Sequence, residues 1–192
     1  MHLLRIVLAL SLTLGMVGAA GAGLINPIGV TGSGSYENSP SLLIDTVIPP
    51  EGTPVGSDSC VKFYSGASFV VDLGGQYNVQ DIVVQVDNND WYWIVYSVDN
   101  AAYDNLLGIS KFDGTVWSGM DTMSTISSDS QYLGAIDFAA VTARYLKIYA
   151  TGGDGIFAVS ELQAFGNPVP LPGAVWLLGS GLGFLAWRLK RG

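Results

Sequence analysis

The 192 residues include one histidine, His2, and one cysteine, Cys60. Those two counts exclude more chemistry than any motif supplies. His2 lies in an N-terminal segment that reads as a removable leader, so the mature chain is expected to carry no imidazole. A Ser-His-Asp triad, a Cys-His dyad and the common zinc sites need histidine or several cysteines, and all are excluded. A lone thiol closes no internal disulfide. Cys60 reads as a quiet, half-buried side chain, the other reading being a reactive or intermolecularly paired thiol.

Carboxylates remain. All 16 acids lie between Glu37 and Glu161, and the only bases in that stretch are Lys62, Lys111, Arg144 and Lys147, which gives the body a formal charge of −12. A carboxylate pair can hydrolyse glycosides without histidine, but acids scattered through loops single out no pair. Asp87-Asn88-Asn89-Asp90 is rich in oxygen ligands yet lacks the twelve-residue spacing and terminal Glu of an EF-hand, so it reads as a tight turn capped by Asx side chains. So negative a body repels nucleic-acid phosphates and anionic membrane surfaces. Nucleic acid is excluded as a partner, and neutral glycans, cations or basic proteins are expected.

Glycan recognition needs an exposed aromatic face and a few oriented polar groups. Trp91, Trp93 and Trp117 are the candidates, with Trp93 and Trp117 preferred as ligand-binding residues. On a strand over Trp91 to Val98, alternation puts Tyr92, Ile94 and Tyr96 on one face and Trp93, Val95 and Ser97 on the other; if the first set is core, Trp93 points out. Trp117 lies in the long polar segment Ser110 to Gln131, which reads as a functional loop on length grounds. Its other reading is a Trp folded back to close the core. Met120 and Met123 would make the tip of that loop apolar.

These residues must be carried by a body of short strands. From Gly23 to about Gly66 the chain is rich in Gly, Ser, Pro and Asn and reads as irregular. Strands are predicted at Ser68 to Leu73, Val79 to Val86, Trp91 to Val98, Arg144 to Ala150 and Phe157 to Phe165. Turns are predicted at Gly74-Gly75, at 87–90 and at Gly152-Gly153-Asp154-Gly155. No window shows a sustained 3.6-residue period, so the body is all-β, a sandwich or barrel.

The two ends read as addresses. A positive start ending at Arg5, an apolar run from Ile6 to Val17 and the small residues Ala20 and Ala22 describe a signal peptide over 1–22, cleaved by signal peptidase after Ala22, or after Ala20 as the variant. At the other end, 167–192, a proline motif at 168–172 precedes an apolar stretch at 173–187 and a basic end at 188–192. Fifteen residues make about 22 Å of helix, short of a ~30 Å hydrocarbon core, so this transmembrane helix spans only with thinning or snorkelling. The basic end would stay cytoplasmic and the acidic body outside. Gly179 and Gly183 also have the spacing of a helix-packing pair.

Val169-Pro170-Leu171-Pro172, followed by Gly173 and by Ala174 to Leu182, resembles the PEP-CTERM sorting signal in its Val-Pro-Leu-Pro variant. The resemblance implies recognition by an exosortase of a Gram-negative bacterium that makes exopolysaccharide. Leu171 stands where the namesake tripeptide has Glu, which leaves the exosortase subtype open. The other reading of the tail is an ordinary C-terminal anchor.

Leu43-Ile44-Asp45, Phe69-Val70-Val71-Asp72-Leu73-Gly74, the strand ending Tyr96-Ser97-Val98-Asp99, Ala143-Arg144-Tyr145-Leu146-Lys147-Ile148 and Ser160-Glu161-Leu162-Gln163-Ala164-Phe165-Gly166 stand in an order that resembles the discoidin or coagulation-factor C-type domain. That resemblance implies a jelly-roll β-sandwich of the galactose-binding-domain-like group over 23–166. It also implies a structural calcium held by backbone carbonyls, Asp45 and Glu161; the other reading of both residues is an ordinary solvated acid. Thr46 replaces a customary Gly, and Cys60-Val61-Lys62-Phe63 stands where Trp is customary.

Three functions follow. The first is a non-enzymatic module, exported across the inner membrane and then anchored, surface-held or released, that binds exopolysaccharide or another envelope glycan. The second is a structural or adhesion protein that binds other proteins in the matrix. The third is a carboxylate-dependent glycosidase.

Overall fold

The computed structural model describes residues 21–170. The leader through Ala20, Leu171 and Pro172 of the proline motif, the apolar stretch with Gly179 and Gly183, and the basic end lie outside the described residues. Among the described residues no helix is long and apolar enough to cross a membrane.

Ten strands form one continuous hydrogen-bonded sheet folded on itself: β1 Gly23–Ile25, β2 Gly29–Ser33, β3 Tyr36–Glu37, β4 Val61–Tyr64, β5 Ser68–Asp87, β6 Trp91–Ser97, β7 Asp104–Ile109, β8 Met120–Ser124, β9 Val141–Gly152 and β10 Ile156–Pro168. Every pairing between these strands is antiparallel. The 20-residue β5 belongs to both layers. Its first half lies between β2 and β9, and β9 continues to β6 and β7. Its second half pairs with β10 and β8, and β10 continues to β4 and β3.

The two predicted strands on either side of Gly74-Gly75 are therefore one strand. β9 pairs with β5 before and after the glycines, and the register slips between Asp72 and Tyr77. Gly74, at φ +82, supplies a left-handed residue that lets the strand bulge instead of turn. The stretch 23–66, read as irregular, holds β1 to β4 and a 3-10 helix at Pro40–Ile44. These strands are short and lie along longer ones, so they carry little periodic signal of their own.

Alternation along β5 sends Phe69, Val71 and Leu73 inward. Across the layers Phe63 meets Phe69 edge-on at 5.2 Å and Tyr92 at 6.3 Å, and Phe157 packs on both Phe63 and Tyr92. A sandwich core assembled by such ring pairs is the arrangement that period-2 strands with aromatic inner faces favour. One ion pair ties two of the recurring segments together: Arg144 donates to both oxygens of Asp72 at 3.0 and 3.1 Å, which holds the Asp72 carboxyl below the usual range.

Segment 110–131, read as one long loop, contains β8, and Met120 and Met123 are fully buried in it. They form core, not an apolar loop tip. β8 is a sheet edge, and the loop after the 3-10 helix covers it. Gly52 donates to the Met120 carbonyl at 2.8 Å, the Met120 amide donates to Thr53 at 2.9 Å, and Glu51 accepts from the Thr122 amide at 3.1 Å. An edge covered this way is closed to pairing with another strand. Cys60, expected to be half-buried, is wholly buried with Met120 and Ala158, and that burial pushes its thiol up.

Candidate functional site

The loops β5–β6, β7–β8 and β9–β10 gather at one end of the sandwich with the cover loop 49–60. Asn88 organises them. Its backbone carbonyl accepts from Phe112 at 2.7 Å, its side-chain oxygen accepts from Gly114 at 3.2 Å, and its side-chain nitrogen donates to Val116. The buried Asp121 adds a bond from Val116 at 2.7 Å. The 110–119 loop is thus anchored from beneath by two side chains.

The anchored loop displays aromatic surface. Trp117 is 81% exposed and stacks on Phe112, with centroids 4.9 Å apart and planes 11° from parallel. Of its two readings, the outward one holds. Lys111 lies over Trp91 at 4.6 Å and near Phe112 at 5.7 Å. Beside this platform opens a cavity of about 470 Å³, lined among others by Gly52, Val55, Asp87, Asn89, Gly119 and Asp154. Ser118, next to Trp117, is also in its wall.

The cavity wall is rich in acceptors. Asp87 is 2% exposed, and its Oδ1, like Oδ1 of Asn89, is buried without a hydrogen-bond partner. Asp154 accepts from the Asn89 side chain at 3.2 Å, and behind it Asp90 accepts from the Asp154 amide at 3.1 Å. Burial, and then the charge of Asp154, raises the Asp87 carboxyl; burial, and then the charge of Asp87, pushes Asp90 up to about 7. The segment 87–90 is the expected turn between β5 and β6, and it also forms the floor of this cavity. Its pattern showed a capped turn, whereas the contribution of Asp154 comes from a loop 64 or more residues away and left no local signal.

Trp93 is placed elsewhere. It sits on the outer face of β6, opposite Tyr149 and Gly108, with its indole over Gly108. Its neighbours Tyr92 and Ile94 are core, as alternation requires, and Val95 and Ser97 are covered as well. The structure brings Trp117, Phe112 and Trp91 to the loop end and leaves Trp93 on the sheet face. Phe112 and Lys111 were missed by sequence reasoning, because nothing in a polar loop marks which ring will stack on another.

Asp45 and Glu161 do meet. Asp45 ends the 3-10 helix, its Oδ1 accepting from Val47 at 2.9 Å, and Glu161 lies on β10, 1% exposed. Burial and then the nearby Asp45 carboxylate push Glu161 up to about 8, and its Oε2 is buried without a partner. A buried, unpartnered carboxylate oxygen facing a second carboxylate and a bent loop suits an oxygen-seeking cation. Thr46 stands at φ +65, the left-handed region in which a glycine would be unstrained.

No protein-family profile and no curated protein sequence matches the chain. Solved structures do. The backbone is similar to a truncated AlyQ with CBM32 and alginate lyase domains, at TM-score 0.54 and 18% identity over 79% of this chain and 35% of that one. It is similar to an F-lectin (fucolectin) from striped bass, Morone saxatilis, serum, at 0.53 and 16% over 76% of this chain and 48% of that one. It is also similar to a fucose-binding module of Streptococcus pneumoniae, at 0.52 and 15% over 76% and 96%. The fold is the galactose-binding-like jelly roll. This jelly roll spans about a third of the truncated AlyQ and about half of the fucolectin. Identities this low establish the architecture and leave the ligand to the residues of the loop end.

Proposed function

We propose that the chain is an exported, non-catalytic envelope protein whose jelly roll binds a carbohydrate such as exopolysaccharide at the loop end. The observation that carries this reading is Trp117, 81% exposed, stacked on Phe112 and next in the chain to Ser118 in the wall of an open, acceptor-rich cavity. A sugar's C–H face stacks on such a ring while its hydroxyls donate to the cavity oxygens. The carbohydrate-binding neighbours of the same fold, a fucose-binding module and a fucolectin, support the reading.

Calcium at Asp45 and Glu161 belongs to the same proposal. The ion would neutralise the orphaned Glu161 oxygen and pin the 3-10 helix to β10, a structural role remote from the sugar. Export by the leader, passage through the inner membrane and processing by an exosortase at Val169 to Pro172 complete it. Replacing Pro170 and Pro172 by Ala in the native host is expected to leave the chain unprocessed in the membrane fraction on immunoblots.

The test of binding is a glycan array probed with the full chain in detergent, with calcium and again with chelator. Reproducible binding that Trp117→Ala lowers at least tenfold supports the proposal. A blank array from folded protein removes it in favour of protein–protein adhesion in the matrix.

A further inference from the structure

We propose that the loop-end cavity selects a sugar carrying a cationic amino group, held by the unpartnered oxygens of Asp87 and Asn89 together with Asp154. This rests on the glycan-binding reading and specifies its ligand class.

Two buried acceptor oxygens in one wall, Asp87 Oδ1 and Asn89 Oδ1, have no donor among the described residues. Leaving a buried carboxylate oxygen unpaired is costly, and the cost is relieved by a donor that also brings positive charge. Asp154 adds a third acceptor group from the β9–β10 turn, and Asp90 lies behind. The charge of Asp154 raises Asp87, and the charges of Asp87 and Asp154 raise Asp90, in the same direction as burial does, while a side-chain hydrogen bond from Asp90 offsets part of the rise at Asp87.

The protein's own cation does not answer this charge. Lys62 reaches the cavity wall, but its Nζ is 3.1 Å from Glu37 and lies over the Tyr64 ring. Lys111 is turned to Trp91 and Phe112. Among the described residues the missing partner is left to the ligand.

An ammonium fits better than the alternatives. It offers three donors and a charge where a hydroxyl offers one donor and none. A uronate would add a carboxylate to a wall that already repels one. The chelator arm of the test below separates a metal ion from an ammonium, which needs only three acceptors at hydrogen-bond distance. The rim rings also suit it, since Lys111 shows that their faces accept a cation.

Deacetylated and fully acetylated chito-oligosaccharides of equal length separate the cases, because the free amine is a cation and the acetamide is neutral; the Asp87 and Asp154 variants below separate that charge from the bulk of the acetyl group. Calorimetry with the full chain at ~pH 5.5, about two units below the α-amino value so that a sugar amine lowered by its neighbouring oxygens is still a cation, should show at least tenfold tighter binding of the deacetylated form. Asp87→Asn and, as an exposed variant that leaves the core untouched, Asp154→Asn should each remove most of that preference. Asp104→Asn, on the remote strand β7, should not.

Equal affinity for the two oligosaccharides overturns the inference. So does an equal loss in Asp104→Asn, which would mean bulk attraction, or a preference that vanishes in chelator, which would mean a metal ion. Trp117-dependent binding of other glycans without an amine overturns the inference alone and leaves the glycan reading standing; a blank array overturns that reading.

Discussion

Glu161 is the residue at which burial and charge conflict most. Its ordinary carboxyl value of 4.5 is raised to about 8 by burial and the nearby Asp45 carboxylate. A group whose folded value is raised contributes stability that is present below its unfolded value and lost as pH rises through the folded one. In chelator the melting temperature is therefore expected to fall between about pH 4.5 and 8, with Asp90 adding to the fall through about 7. Glu161→Gln should flatten that slope and melt several degrees higher than wild type at ~pH 8, at about 2–4 °C per kcal/mol for a chain of this length. Calcium should raise the wild type and leave the variant unchanged; a calcium response retained by Glu161→Gln would remove the ion from this site. Thr46 tests the adjoining backbone. A β-branched residue in the left-handed region costs roughly 1–2 kcal/mol, so Thr46→Gly should raise the melting temperature by a few degrees in circular dichroism scans, even though it gives up the 2.6 Å bond from its hydroxyl to the Asp45 carbonyl.

At the scale of elements, the loop that carries Trp117 depends on a glycine more than on any aromatic. A Cβ at Gly114 would fall 2.1 Å from Asp121 Oδ2, the oxygen that receives the Val116 amide. Gly114→Ala must push the loop off its anchor. Acrylamide quenching of tryptophan fluorescence should change, glycan affinity should drop at least tenfold, and the melting temperature should fall by only a few degrees, because the core strands are untouched. A variant with wild-type affinity would show that the platform does not need this anchoring. Four of the strands from β5 to β10 could be read in the sequence: Trp91 to Val98 was expected, and β6 runs Trp91–Ser97, whereas β7, Asp104–Ile109, was not read although it buries alternate residues. β8 could not be read, because its five residues are all buried and show no alternation. A covered edge strand loses its period-2 signature when a loop packs on its outer face.

Across the whole molecule, sixteen acids against four bases set a field that acts before any contact is made. The body should disfavour oligouronates relative to neutral oligosaccharides of equal length, and raising ionic strength from ~0.02 to ~0.5 M should narrow that difference as the screening length shrinks. Binding assays at the two salt levels check this, and a salt-independent difference would place the discrimination wholly in direct contacts. The two acidic sites lie on different loops of one scaffold. Asp45 and Glu161 meet between the 3-10 helix and β10, while Asp87, Asn89 and Asp154 line the open cavity.

The amino-acid sequence alone determined the all-β class and the acidic field, and a resemblance in segment order put Asp45 together with Glu161. Each depends on composition, on short-range alternation or on a recurring segment order, and all of these are written along the chain. Only the tertiary structure decided that Trp117 faces outward on Phe112 while Trp93 lies on the sheet face, and that Asp154 completes a cavity floored by a turn many residues earlier. The physical reason is that stacking and the convergence of loops depend on contacts between residues far apart in sequence. Local propensity at 87–90 reports a capped turn, and it remains a turn; the orphaned oxygens arise only when the β9–β10 turn and the cover loop close over it.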